Sequence, residues 1–457
     1  MNRTPSITGA LADAVIGLAS RPRTDEGTRA AERTLANIVA VAIGASRTPG
    51  VQRLARHLDT GTGVPLGPSP LISERGSPRA AALLAGFAGH YDDYDDTHLA
   101  TVIHPAAACF GAAWAVGRGP RVDGALLMDA FAIGCEIQLR LGLAVSPEHY
   151  DRGWHITGTC GVIGATVTAA LLRGLSRDEL ATALAIASVR TLGHREAFGT
   201  ELKPFHAGQA AANAVSSVDD ASGGSLRWNH EDDPMALLLT AFAPRSADPA
   251  TLLTDKIRWE LDTNAIKPYP CGIVAHPGID AGLAVHQRLR ASGRTVAEIV
   301  SVRYRCHPLV PELMGRTAPD NELEARFSAV HGVAAGLLRG TVGLAEFDAG
   351  AARSPEYGDM RSRITMVPDA RLERDQAELA VDMAGGDVMV EWVEHARGSI
   401  DRPLTDDELR AKADALLELG RGPSAEELWR FVTSLPSVTS DPWRSLSAPD
   451  RIAEAAR

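Results

Sequence analysis

The chain has 457 residues, 45% hydrophobic and 23% charged, with 46 Lys and Arg against 57 Asp and Glu for a net charge of −11. That length suits two or three domains, each able to bury a core. An acidic chain with no Lys/Arg block has no electrostatic footprint for a phosphate backbone, so nucleic acid is not an expected partner.

In chain order, the apolar stretch 9–19 contains Asp13 and is preceded only by Arg3, so it reads as the first turns of an amphipathic helix and not as a secretory signal. From residue 7 to about 243, Ala/Leu/Val-rich stretches alternate with short Gly/Pro/Ser punctuation, as packed helices do. The longest apolar runs, 106–117 and 161–172, fall short of the roughly 18 to 20 residues of a membrane span, so no membrane is expected. Ser176-Arg-Asp-Glu179 is a capping box that opens a helix over 180–189, with Gly174 closing the helix before it.

The middle changes texture. Val300, Val302 and Tyr304 alternate with Ser301, Arg303 and Arg305, residues 363–367 form a second β-like run, and 379–383 and 388–393 flank Ala384-Gly-Gly386 as a hairpin. Helical stretches at 279–289 and 328–339 sit between them. Thr405-Asp-Asp-Glu408 and Ser424-Ala-Glu-Glu427 repeat the capping box near the C-terminus, with Gly420 ending the helix between them. The pattern predicts a mainly α fold. A large all-helical domain spans residues 1–265 and is completed by 401–457, with a smaller α+β domain inserted at 266–400. The five cysteines, Cys109, Cys135, Cys160, Cys271 and Cys306, lie far apart with no Cys-x-x-Cys; this argues against an iron–sulfur cluster or disulfide framework and fits a reducing cytoplasm.

Four polar clusters interrupt these apolar segments. The first, His90-Tyr-Asp-Asp-Tyr-Asp-Asp-Thr-His98, runs on to Thr101, His104 and Pro105. His104 falls just before a helix N-terminus, where partial positive charge disfavours imidazolium and keeps the ring a base. The alternatives are a solvated loop, or a divalent-metal site of Asp95, Asp96, His98 and His104, for which no usual ligand spacing is present. The second cluster places Tyr150 and His155 at the mouth of a small-residue helix, as a proton donor and acceptor or as packing residues. In the third, Gly199-Thr-Glu-Leu-Lys203-Pro-Phe-His206-Ala-Gly208, proline fixes Lys203 before a helix expected to start near Gln209. In the fourth, Pro268 and Pro270 hold an extended backbone that would aim Lys267 into a cleft, with Cys271 and His276 following. A surface lysine is the alternative for both Lys203 and Lys267.

Together these residues resemble the MmgE/PrpD family, which includes 2-methylcitrate dehydratases, cis-aconitate decarboxylases and iminodisuccinate epimerases. The motifs that carry the resemblance are Asp93-x-Asp-Asp-Thr97 with His104-Pro105, Gly153-Trp-His155, Gly199-Thr-x-x-Lys203-Pro-x-His206-x-Gly208, Lys267-x-Tyr269-Pro270-Cys271 with His276, and Arg326-Phe-Ser328. The resemblance implies a helical domain with a smaller α+β lid, a homodimer, and a pocket at the domain interface lined by Asp93, Thr97, His104, His155, Lys203 and Lys267. Tyr150 resembles a tyrosine that the epimerase branch places near its substrate. One departure is Cys271-Gly272, where the decarboxylase branch carries a histidine, so decarboxylation is the less favoured activity.

Two lysines and several imidazoles around one pocket suit a di- or tricarboxylate, and no metal or organic cofactor is implied. His104 is the expected base or acid, oriented by Asp93, with Tyr150 or His155 as the opposite-face proton carrier. Lys203, Lys267, Thr97, His206 and His276 would bind substrate. The expected reaction is dehydration by proton abstraction α to a carboxylate, with epimerisation as the alternative. A decarboxylase, a metal-dependent hydrolase and a non-catalytic carboxylate-binding protein rank below these.

Overall fold

The computed structural model describes residues 6–229, 232–444 and 446; Arg3 and the end of the 401–457 segment lie outside the described residues. The chain is mainly helical. Two large hydrophobic clusters organise it, one built from residues 11–261 with the C-terminal helices, the other from residues 269–393.

The first cluster is a bundle of helices in which Pro78–Tyr91, Pro105–Val116, Ile156–Arg173 and Leu202–Ser222 pack against one another. Their small residues permit close approach. A Cβ on Gly208 would lie 2.3 Å from the Leu83 carbonyl oxygen, so only glycine lets the Leu202–Ser222 helix lie against Pro78–Tyr91. That contact brings the start of one helix beside the end of the other. The helix Asp406–Leu419 returns to this body and packs on Asp25–Ala45, burying Leu416 and Leu417.

Local signals held where they were strongest. Capping boxes at Ser176, Thr405 and Ser424 open the helices Arg177–Ser188, Asp406–Leu419 and Ala425–Ser434, and Gly174 closes Ile156–Arg173 in the left-handed conformation. That last helix is longer than its apolar run, because Thr157 to Cys160 join it. By length and composition it could span a membrane, but 89% of it is buried inside the protein.

The second cluster contains a four-stranded sheet ordered Ile364–Pro368, Ile299–Cys306, Ala377–Met383, Val388–Val393, parallel in the first pair and antiparallel in the others. Ala384-Gly-Gly386 makes the expected hairpin, with both glycines at positive φ. Helices His276–Ala291 and Ala329–Arg339 pack together beside the sheet. The expected alternation fails at Val300, which is 59% exposed. A register shift between Ile299 and Ser301 turns Ile299 inward in its place.

Candidate active site

The acidic loop is buried, which overturns the solvated-loop alternative. Asp92, Asp93, Asp95 and Asp96 are each at most 3% exposed. The loop leaves the Pro78–Tyr91 helix through Asp93 at φ +50°, a conformation that aspartate tolerates better than most residues. It then pairs Asp96 and Thr97 antiparallel with Ile266 and Ala265. This short ladder ties the loop to the segment carrying Lys267, whose N–H donates to the Asp95 carbonyl at 3.2 Å. A third segment secures both. Lys412 donates to the carbonyls of Tyr94 (2.7 Å) and Lys267 (2.8 Å) and to Asn37 Oδ1 (2.8 Å).

Asp93 accepts from both lysines: Lys203 Nζ lies 2.6 Å and Lys267 Nζ 2.8 Å from Oδ1. Burial alone would raise its pKa, but the two ammonium groups outweigh it and hold the carboxylate ionised. Its Oδ2 is buried without a partner. Lys203 lies inside the first turn of Leu202–Ser222, so the helix begins seven residues earlier than expected. Pro204 belongs to that first turn, where a missing N–H costs nothing. The Lys203 ammonium also sits 5.6 and 5.2 Å from the ring centroids of Phe198 and Phe327. Burial lowers its pKa, and Asp93 offsets part of that.

His104 caps the Pro105–Val116 helix, and its N–H donates to Thr157 Oγ1 at 3.1 Å. Its side-chain partner is Asp95: Nδ1 lies 3.0 Å from Oδ1. Asp93, the expected orienting residue, is 3.8 Å from Nε2 and belongs to the lysines instead. The other Asp95 oxygen is 2.7 Å from Nδ1 of His90, so one carboxylate spans two imidazoles. Thr97 Oγ1 stands 3.2 Å from His104 Nδ1. Burial drives the His104 pKa down to about 3; Asp95 opposes this, and Lys267 and Lys203 reinforce it. The ring is neutral at pH 7. An Nδ1–H donated to Asp95 leaves Nε2 as the basic nitrogen.

Tyr150 and His155 line the same cavity. Tyr150 lies under the Arg195 guanidinium (4.5 Å to the ring centroid), and Arg195 pairs with Glu312 at 3.0 Å. Burial raises the Tyr150 pKa, so its hydroxyl keeps the proton. His155 caps Ile156–Arg173, and burial holds it well below the usual histidine range.

The cavity, about 40 Å³ in volume, lies between the two hydrophobic clusters. It brings together Asp93, Thr97, His104, Tyr150, His155, Lys203 and Lys267. His206 and His276 do not line it. His206 stands behind His155, with Nδ1 atoms 3.0 Å apart, and His276 donates to the Cys271 carbonyl at 3.3 Å and packs edge-on against Tyr269. Sequence reasoning missed the pairing roles of Asp95 and His90. It quoted Arg326 without a role; this side chain donates to Asp92 Oδ1 at 2.7 Å across the two clusters.

The Asp95/Asp96/His98/His104 metal set does not converge. Asp96 accepts from Asn264 (2.6 Å) and from the Ala106 N–H at the helix start (3.2 Å), while His98 pairs with Thr101 (2.9 Å). The acidic-loop groups whose ligand atoms lie within 4.8 Å of one another are His90, Asp93, Asp95 and His104. Two ammonium groups already face Asp93, so a divalent ion there would meet like charge.

The sequence model of the MmgE/PrpD N-terminal domain matches residues 9–226, and that of the MmgE/PrpD C-terminal domain matches residues 269–435. The chain is 28% identical over 350 residues to cis-aconitate decarboxylase of Mus musculus, covering 73% of this chain and 71% of that one. It is 27% identical over 386 residues to the Homo sapiens cis-aconitate decarboxylase, covering 79% and 77%. To 2-methylcitrate dehydratase of Cupriavidus necator it is 26% identical over 280 residues, covering 56% and 54%.

Proposed function

Because this chain belongs to the MmgE/PrpD family, we propose that it is a lyase of the dehydratase type, acting without metal or organic cofactor on a β-hydroxy di- or tricarboxylate. The observation that carries this reading is the neutral His104 held by Asp95 beside two lysines that share Asp93. Lys203 and Lys267 bind the carboxylate next to the reacting carbon and stabilise the enolate charge that grows there. His104 Nε2 takes the proton from that carbon, and Asp95 stabilises the imidazolium that results.

The electron pair of the broken C–H bond becomes the new C=C bond, and the β C–O bond breaks. The departing hydroxide takes the proton of the Tyr150 hydroxyl and leaves as water. Proton transfer from His104 back to the Tyr150 oxygen then resets both groups. His155, backed by His206, borders the site where the hydroxyl departs. On this reading residues 266–400 act as a lid over the cavity between the two clusters.

Cis-aconitate decarboxylase is the name of relatives matched over most of this chain, so loss of CO2 from an unsaturated tricarboxylate is the second reading. Epimerisation is the third; it uses the same acid and base on opposite faces. A panel of β-hydroxy di- and tricarboxylates together with unsaturated tricarboxylates, followed by alkene absorbance and by gas-phase CO2, separates the first two. Alkene without CO2 supports the dehydratase. CO2 release supports the decarboxylase, and turnover of neither class contradicts the lyase assignment.

A further inference from the structure

Three histidines run outward from the cavity, and none of them takes or gives a proton in the steps above. His155 lines the cavity and is 2% exposed. Its Nδ1 lies 3.0 Å from Nδ1 of the half-buried His206, whose ring centroid stands 6.5 Å from that of the exposed His194. Two glycines let the first two rings meet. A Cβ on Gly158 would lie 2.9 Å from His206 Cβ, and one on Gly193 would press on both residues, 3.3 Å from His206 Nδ1 and 3.4 Å from His155 Cβ. Gly193 has φ +141°, and its carbonyl accepts the His155 N–H at 3.0 Å. His90 stacks on the His155 ring with centroids 6.0 Å apart, and Phe198 meets it edge-on at 5.2 Å. With Nδ1 on His206, Nε2 is the nitrogen left for the cavity.

Burial holds both imidazoles below the usual histidine range, His206 at about 4, so each is neutral at pH 7. Between two neutral rings one Nδ1 donates and the other accepts, and each ring can take either part. The cavity of about 40 Å³ leaves no room for a chain of waters beside a bound carboxylate substrate. Protons exchanged with solvent during turnover then need a path through the protein.

We propose that His155 and His206 form a two-imidazole relay that carries protons between the cavity and solvent. Outward, His155 Nε2 takes a proton from the cavity, His155 Nδ1–H passes to His206 Nδ1, and His206 Nε2–H is released to water. One proton enters, one leaves, and the hydrogen bond between the rings is left reversed. That reversed state conducts inward: water protonates His206 Nε2, His206 Nδ1–H passes to His155 Nδ1, and His155 Nε2–H is delivered to the cavity. A dehydration takes one proton from carbon and spends one on the departing hydroxyl, so one passage each way exchanges both with water and restores the relay. The inference rests on the reading of the cavity as a proton-transfer site and adds its connection to water.

The test needs no substrate. In the full chain with 15N-labelled histidine, NMR reads exchange of the His155 ring N–H with water at pH 7, the signal being identified by its loss in His155→Gln. His206→Phe removes the outer ring, whereas His206→Asn keeps a hydrogen-bond partner for His155 Nδ1 that does not pass a proton on. Both should slow exchange by at least about tenfold. His206→Asn decides the matter if the Phe variant does not fold. A purely structural His206 would leave exchange unchanged or speed it by loosening the packing, and either result in His206→Asn overturns the relay. Slowed exchange with no turnover of any acid in the panel leaves the relay standing and overturns the lyase reading.

Discussion

Asp95 Oδ1 lies 3.0 Å from Nδ1 of His104, and that contact decides which imidazole nitrogen is basic. Asp95→Asn keeps the shape but can present an N–H to Nδ1, reversing the tautomer and removing the charge that stabilises imidazolium. The expected loss is about 10²-fold or more in kcat with little change in KM. Steady-state kinetics on an established substrate checks it, and an unchanged kcat would contradict the role.

Lys203→Met and Lys267→Met each remove one of the ammonium groups on Asp93. Each should lower kcat/KM by at least about tenfold, the value of roughly 1.4 kcal/mol of lost interaction. The same variants leave Asp93 with a weaker counter-charge in a buried site, so its pKa should rise. Carboxyl titration by infrared spectroscopy reads that shift separately from activity.

Buried neutral histidines make stability pH-dependent. His104, His149 and His276 each have a folded pKa of about 3, with burial as the first cause. The unfolded chain binds protons near pH 6.5, so the unfolded state takes up more protons as pH falls below that value. Stability from these groups is complete above about pH 6.5 and is lost toward pH 3, by about 1.4 kcal/mol per group per pH unit. Denaturant midpoints should therefore fall between pH 7.5 and pH 5.5; Asp96, raised to about 7 by burial and by Asp95, takes up a proton in the folded state over the same window and offsets part of the loss, about the share of one histidine. A flat profile would contradict the neutral assignment.

Dialysis against EDTA should leave turnover intact, since Asp93 is occupied by two lysines and Asp95 by two imidazoles. Activity lost on dialysis and restored by one divalent ion would instead place that ion among His90, Asp93, Asp95 and His104.

What the sequence made legible was local. A capping box is complete within four residues, and a Gly-Gly turn between two β-rich runs needs no distant partner, so Ser176, Thr405, Ser424 and Ala384–Gly386 could be read directly. The motifs around Asp93, His104, Lys203 and Lys267 pointed to one cavity, and those side chains meet there. The division of labour among four neighbouring aspartates could not be read, because each direction is set by another part of the chain. Lys203 and Lys267 claim Asp93, Arg326 claims Asp92, Asn264 and a helix N-terminus claim Asp96, and only Asp95 is left for the imidazoles. Val300 and the start of the Leu202–Ser222 helix failed for a related reason. A register shift and a first-turn proline each break a pattern without breaking the element.

The most direct test of proton abstraction by His104 is NMR in deuterated water, comparing the unaltered protein with His104→Gln on one panel of β-hydroxy di- and tricarboxylates. The account predicts a vinyl proton in the product, deuterium at the carbon α to the carboxylate in recovered substrate, and a drop in both of at least about 10²-fold in the variant. Elimination and exchange that proceed undiminished in His104→Gln would contradict it.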